Sequence, residues 1–209
     1  MTGRDDEAPG WDAIDAALAR LYPGQDDPAH WATLPGTRAR LGGPEALDGV
    51  SAFAASEPAP HWHWVTYGMT ELYAKESEDP EWSGWGYELT MRAPRGDEAI
   101  PDTWPLMLLK GLANMASRDR RVFRAGDWFD AGSSITGRPS ALTGLAMLAD
   151  PQLPPLDTPH GRVDFVEVIG LHAREVAYCA TRGLDELLRD AGRSYTGEFN
   201  VLDREPFVD

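Results

Sequence analysis

A chain of 209 residues and 22.9 kDa, 42% hydrophobic and 10% aromatic, has the composition of one globular domain that buries roughly 70% of its unfolded surface without staples. Its net charge of −15 and pI near 4.6 exclude the basic surface that phosphate backbones or anionic lipids require, so nucleic acid and membrane are not expected as partners, whereas a basic protein partner is suited. A single cysteine, Cys179, rules out an intramolecular disulfide, no run approaches the ~20 apolar residues of a bilayer span, and MTGRDDEAPG carries no apolar signal core, so a cytoplasmic location is expected.

Residues 1–9 are polar and acidic and are expected to be disordered, with one domain over residues 10–209. Trp11, Ile14, Leu18 and Leu21 recur at helical spacing, Asp12 sits in the first turn, and Tyr22-Pro23-Gly24 stops the helix. The Pro- and Gly-rich stretch 25–49 suggests a short strand between turns, and Ser51 to Pro60 reads as a weak segment. The run from His61 to Arg92 organises the chain. Trp62 and Trp64 alternate with His63, Val65 and Tyr67, and later Trp85, Tyr87, Leu89 and Met91 alternate with Gly86, Glu88, Thr90 and Arg92. Both runs read as strands, the second half-buried. Between them, Ala74 to Ser83 carries Glu76, Glu78, Asp79 and Glu81, and is expected to form a poorly ordered acidic loop.

A helix is expected from Asp102 or Thr103, with Pro105 in its first turn and a stripe of Trp104, Leu108, Leu112 and Met115 widened by Leu109 and Ala116. Arg118, Arg120 and Arg121 end it where they oppose the helix dipole. VFRAGDWFD (122–130) suggests a strand broken at Ala125-Gly126, and 131–140 is turn chemistry. Ala141 to Leu148 is read as a strand, the Pro-rich 150–161 as a loop, and Arg162 to Ile169 as a buried strand. Ala173 to Ala180 and Leu184 to Asp190 read as helices broken at Gly183, and Phe199 to Leu202 as a last short strand. This irregular interleaving predicts an α+β fold, a single domain with a mixed, mainly antiparallel sheet and packed helices.

Few residue patterns carry chemistry. His61-x-His63 places two imidazoles on one strand face, the start of a metal site and of a metal-dependent hydrolase, but no third ligand is fixed by the sequence. Gly84-Trp85-Gly86 lacks the third glycine and the helix of a dinucleotide loop, and Gly132 to Thr136 misses the nucleophile elbow at its last position. Cys179 has the setting of an inert core thiol. Asp127, between the apolar pairs 122–123 and 128–129, is either a turn acid bonding its own backbone or a partner-binding carboxylate.

HWHWVTYGMTELY (61–73) followed by SGWGYELTMR (83–92) resembles the signature of Suppressor of Fused domains. The resemblance continues through LGGPEALDGVS (41–51), DTWPLMLLKGLA (102–113), RAGDW (124–128) and DPQLPPLDTPHGRVDFVEVIGL (150–171), and covers about Trp11 to Leu188. It implies a Suppressor of Fused-like fold and a non-catalytic binder with no metal and no cofactor. In animals such proteins clamp an extended peptide of a transcription factor between this domain and a second one. Asp127 matches the acid of that cleft, Trp128 follows it, and Met115 stands where the family has a tyrosine. Stand-alone bacterial members are associated with toxin systems, so the resemblance implies an immunity-type protein that masks a toxin.

Overall fold

A computed structural model describes residues 7–33 and 46–209. Of the stretch 1–9 expected to be disordered, residues 1–6 lie outside the described residues, as does the first half of LGGPEALDGVS, while Pro9 already belongs to the first helix. The chain runs α1 (Pro9–Leu21), β1 (Ala29–Ala32), β2 (Gly49–Ala55), β3 (His61–Tyr67), β4 (Trp82–Pro94), α2 (Trp104–Asp119), β5 (Trp128–Asp130), β6 (Leu142–Ala149), β7 (Leu156–Thr158) and β8 (Gly161–His172). It ends with α3 (Ala173–Arg182), α4 (Leu184–Ala191) and a 3₁₀ turn, Thr196–Asn200. One sheet of eight strands has the order β1-β2-β3-β4-β8-β6-β5, with β7 pairing β8. Among the described residues only β4 and β8 run parallel; the other pairs are antiparallel. The mixed, mainly antiparallel α+β fold read from the sequence is the one observed.

The sheet is covered on both faces, which is why its central strands are buried throughout. On one face α2 packs on Trp62 and Trp64 of β3, Tyr87, Leu89 and Met91 of β4, and Val166 and Val168 of β8. The other face carries two separate cores. α1 covers Phe53, Val65 and Tyr67 with Ile14, Leu18 and Tyr22, while α3 and α4 cover Ala146, Ile169 and Leu171 with Val176, Leu184 and Leu187. The alternation of β4 is therefore right in register, with one correction: Trp85 is only half-buried. Trp85→Ala is accordingly expected to cost about 1–2 kcal/mol, below the range of a fully buried ring, as measured by urea unfolding.

Several elements depart from the sequence reading for identifiable reasons. β2 lies inside the sheet although its residues look weak. In its register Ala52 faces Trp64 and Ala54 faces Trp62, so small side chains are what the neighbouring indoles leave room for. The buried stripe of α2 is turned slightly: Leu106 and Ala113 are buried and Leu108 and Met115 half-buried. Strand β5 is only three residues long, because 122–127 is a turn with Gly126 at φ +99°. The Pro-rich loop contains β7, which hairpins onto β8. The tail adds no strand; instead the Asn200 amide donates to the carbonyls of Arg92 and Val168 and accepts from Gly170 N–H. One side chain thus replaces a backbone ladder.

The acidic loop is also more organised than its composition suggests. The Glu71 carboxylate accepts hydrogen bonds from the backbone N–H groups of Glu76 (2.7 Å), Ser77 and Gly84 (3.0 Å) and pairs with Lys75 at 3.1 Å. Burial alone would raise its pKa, but these donors pull it down to about 2. Lys75 closes the loop by donating to the Trp82 carbonyl. The acids there are turn-builders as well as solvated charges.

Candidate functional site

The polar face of β4 was expected to be at most half-buried. It is buried completely, and it fills the space between the two cores of that sheet face. Arg92, with 2% of its surface exposed, sends two hydrogen bonds of 3.0 Å to Asp150 and lies 2.8 Å from Glu167. Asp150 also accepts from the Thr90 hydroxyl at 2.6 Å and from Gln152 and Leu153 N–H. Because the Asp150 carboxylate only accepts, His63 must carry its proton on Nε2, 3.1 Å away, and Nδ1 then accepts from the Tyr22 hydroxyl at 2.7 Å. Burial would raise the pKa of Asp150, but the bonds from His63 and Arg92 hold it far below the usual carboxylate range. Burial and the Arg92 charge push His63 down to about 4.

These contacts remove the histidine pair as a metal site. Both ring nitrogens of His63 are occupied, and His61 Nδ1 is engaged with the Ala59 carbonyl at 2.7 Å. Among the described residues no group of three metal-ligating side chains forms. The hydrolase alternative thereby loses His63, one of the two ligands it rested on.

Glu167 is the odd member of the network. Thr196 donates to Oε1 at 2.6 Å, yet Oε2 is buried with no hydrogen-bond partner. Burial pushes its pKa up to about 7, with Arg92 opposing and Asp150 reinforcing the rise. A carboxyl whose folded pKa is raised favours the folded state at low pH and loses that contribution as pH rises through about 7. His63, depressed from 6.5 to about 4, works the other way and loses stability as pH falls below 6.5. The two oppose one another over roughly pH 4.5–6.5, so stability is expected to be level there and to decline slightly between about pH 6.5 and 7.5. Urea unfolding across that range should show the decline, and Glu167→Gln should remove it.

The sequence-predicted partner residues lie at the far edge of the sheet. β5 is the terminal strand: it pairs with β6, and among the described residues no strand pairs with its other side. Asp127 N–H donates to the Arg124 carbonyl, and its Oδ2 accepts from Arg124 N–H at 2.8 Å. It is therefore a turn acid, and it is also half-buried beside an open strand edge. Met147 N–H donates to the Asp127 carbonyl and Ala131 N–H to the Thr143 carbonyl. By antiparallel alternation the backbone groups of Trp128 and Asp130 then face outward. Trp128 and Met115 are not brought together. The Trp128 ring packs with the α3–α4 core and Met115 with the α2 core, so the sheet stands between them. Cys179 is buried, and burial raises its thiol to about 11. The Arg92 network escaped the sequence reading; its signal was Arg92 and Glu167 on strands that are otherwise apolar, with Asp150 just past the end of a third.

The pattern of the Suppressor of fused protein family (SUFU) matches residues 43–205. The human Suppressor of fused homolog is 33% identical over 197 residues, covering 86% of this chain and 40% of its own length; the mouse homolog gives the same figures. This chain thus spans about 40% of the curated relatives it matches. Drosophila Suppressor of Fused superimposes with a TM-score of 0.84 at 27% identity, over 95% of this chain and 51% of that one. A chain from the Sufu–Fu complex gives 0.83 at 26%, over 97% and 93%. A SUFU homolog from Neisseria gonorrhoeae, 15% identical, shares the fold with a TM-score of 0.60 over 96% of this chain and 97% of that one. Among the described residues no helix is long and apolar enough to cross a membrane.

Proposed function

This chain belongs to the Suppressor of fused family, and from that premise we propose that it is a non-catalytic module that binds another protein through the open edge of β5. The carrying observation is that edge: a terminal strand with outward-facing backbone groups, and Asp127 beside it. An extended segment of the partner adds there by main-chain hydrogen bonds, the β-augmentation mode. Asp127 meets a basic or N–H group on it, and the backbone of Trp128 supplies ladder contacts. Met115 meets only a partner that reaches round the sheet edge. One relative was crystallised as the Sufu–Fu complex, which supports a protein partner. The net charge of −15 favours a basic one and steers its approach. We read the role as that of an immunity protein, whose partner is a basic toxin held masked in the cytoplasm.

The test is calorimetric titration against the product of the adjacent open reading frame. Asp127→Arg is expected to weaken binding at least tenfold, roughly 1.4 kcal/mol or more, while the lost bond to Arg124 N–H lowers the melting temperature by only a few degrees. Association should slow as salt rises. Undiminished binding by a folded Asp127→Arg variant removes this edge from the interface. For the toxin role, the neighbour expressed alone should arrest growth, and co-expression of this chain should restore it.

A further inference from the structure

The end of α2 and the turn after it carry Arg118, Arg120, Arg121 and Arg124, all exposed, a local excess of positive charge on a chain of net charge −15. Arg118 pairs with its neighbour Asp119. Among the described residues no carboxylate pairs with the side chains of Arg120, Arg121 or Arg124. The turn decides where Arg121 goes. Arg120 N–H and Arg121 N–H both return to the Ala116 carbonyl, with Arg120 left-handed at φ +51° in a cap position where glycine is common. It is the one non-glycine residue with positive φ among the described residues, so a cation is kept at this corner against backbone preference.

The Arg121 guanidinium rests over two rings, 5.2 Å from the centroid of Phe123 and 5.1 Å from that of Phe129, which stack on each other at 6.1 Å. A guanidinium held on aromatic faces is pre-organised, and its in-plane N–H donors stay open to a carboxylate. Phe129 is the middle residue of the terminal strand β5. The backbone groups of Trp128 and Asp130 face outward. In an antiparallel addition the residue opposite Phe129 therefore forms the non-hydrogen-bonded kind of pair, in which side chains lie closest, on the face that Arg121 covers. Asp127 stands two positions before Phe129, in a ladder that still includes the bond from Met147 N–H to its carbonyl. The residue that meets Asp127 thus lies two further along the added segment, on the same face.

We propose that the segment added to β5 carries an acidic residue opposite Phe129, paired with Arg121, and a basic residue two positions on, paired with Asp127. Two charges of opposite sign set a register that a three-residue strand specifies poorly through its ladder alone. A slip of one residue turns both side chains to the other face. A slip of two sets the segment's acid against Asp127 or its base against Arg121. The net charge of −15 still steers a partner that is basic as a whole, and the acid is a local requirement within it. The inference rests on the protein-binding reading above and extends it to the sequence pattern of the bound segment.

The probe is acetyl-Thr-Glu-Val-Lys-Thr-amide, compared with the same peptide carrying Gln in place of Glu. Each is titrated while the backbone amide resonances of Trp128 and Asp130 and the Nε–H resonance of Arg121 are followed by NMR. Both peptides are expected to shift the two amides saturably in the millimolar range. The Glu peptide should bind roughly three- to fivefold more tightly and should alone shift Arg121 Nε–H. Arg121→Gln, at an exposed position, should bind the two peptides equally, whereas Arg118→Gln should keep the preference. Salt at about 1 M should erase most of it. Equal binding of the two peptides by the parent, a preference that survives in Arg121→Gln, or the same Arg121 shift from inorganic phosphate overturns the proposal. The two readings fail separately: equal shifts of Trp128 and Asp130 by both peptides remove the acid and leave the β5 edge, while no shift from either peptide removes the edge itself.

Discussion

Arg92→Leu is expected to destabilise the protein by about 3–5 kcal/mol, the usual cost of removing one partner from a buried ion pair. For a chain of this size that lowers the melting temperature by roughly 10 °C. The guanidinium is the positive group that Asp150 and Glu167 both contact, and the side chains of all three are almost wholly out of water. Without it Asp150 keeps the donors from His63, Thr90 and two backbone N–H groups, but Glu167 keeps only Thr196. Glu167 is then expected to take up a proton, so the loss should be larger at pH 8 than at pH 6. Replacing all three charges together, as Arg92→Leu with Asp150→Asn and Glu167→Leu, should recover a good part of the loss, since apolar substitutes for a buried network are often nearly neutral. Thermal unfolding of the two variants at both pH values checks this. A single variant as stable as the parent would mean that the network is solvated.

Glu88→Ala is expected to cost a comparable amount and to act locally. Glu88 is wholly buried in the β4 strand and accepts from the hydroxyls of Thr66 and Thr70, both at 2.6 Å, and from Gly68 and Thr70 N–H, both at 2.9 Å. Burial raises its pKa, and these donors oppose the rise. The alanine leaves two hydroxyls and two backbone donors facing a cavity, each unsatisfied group costing about 1–3 kcal/mol unless water enters. The turn that leaves β3 is closed by this carboxylate, so amide exchange at Gly68 and Thr70 should accelerate far more than exchange in β6. Uniform acceleration across the sheet would show that Glu88 supports the whole core and not the turn.

Much of the architecture was legible because it is local. The period of α1, the break at Gly183 and the alternation of Trp85, Tyr87, Leu89 and Met91 each depend on residues within a few positions of one another, where backbone geometry alone decides which side chains share a face. The family signature lay in the same stretches. The break at Ala125-Gly126 was also legible, although that β5 ends the sheet was not. What the sequence could not express was the second covering layer. Arg92 alternates with Leu89 and Met91 and so reads as solvent-facing; its burial depends on Asp150, 58 residues away, and on α1 and α3 closing from either side. For the same reason β2 looked weak until Trp62 and Trp64 were seen to need its alanines, and His63 looked like a ligand until Tyr22 and Asp150 were found on its two nitrogens. Periodicity determined the elements and their faces, and the motif strings carried the resemblance to the family; which polar groups are buried, and against which partners, is fixed only when strands distant in sequence pair, because a charge leaves water only where an opposite charge is already held in place.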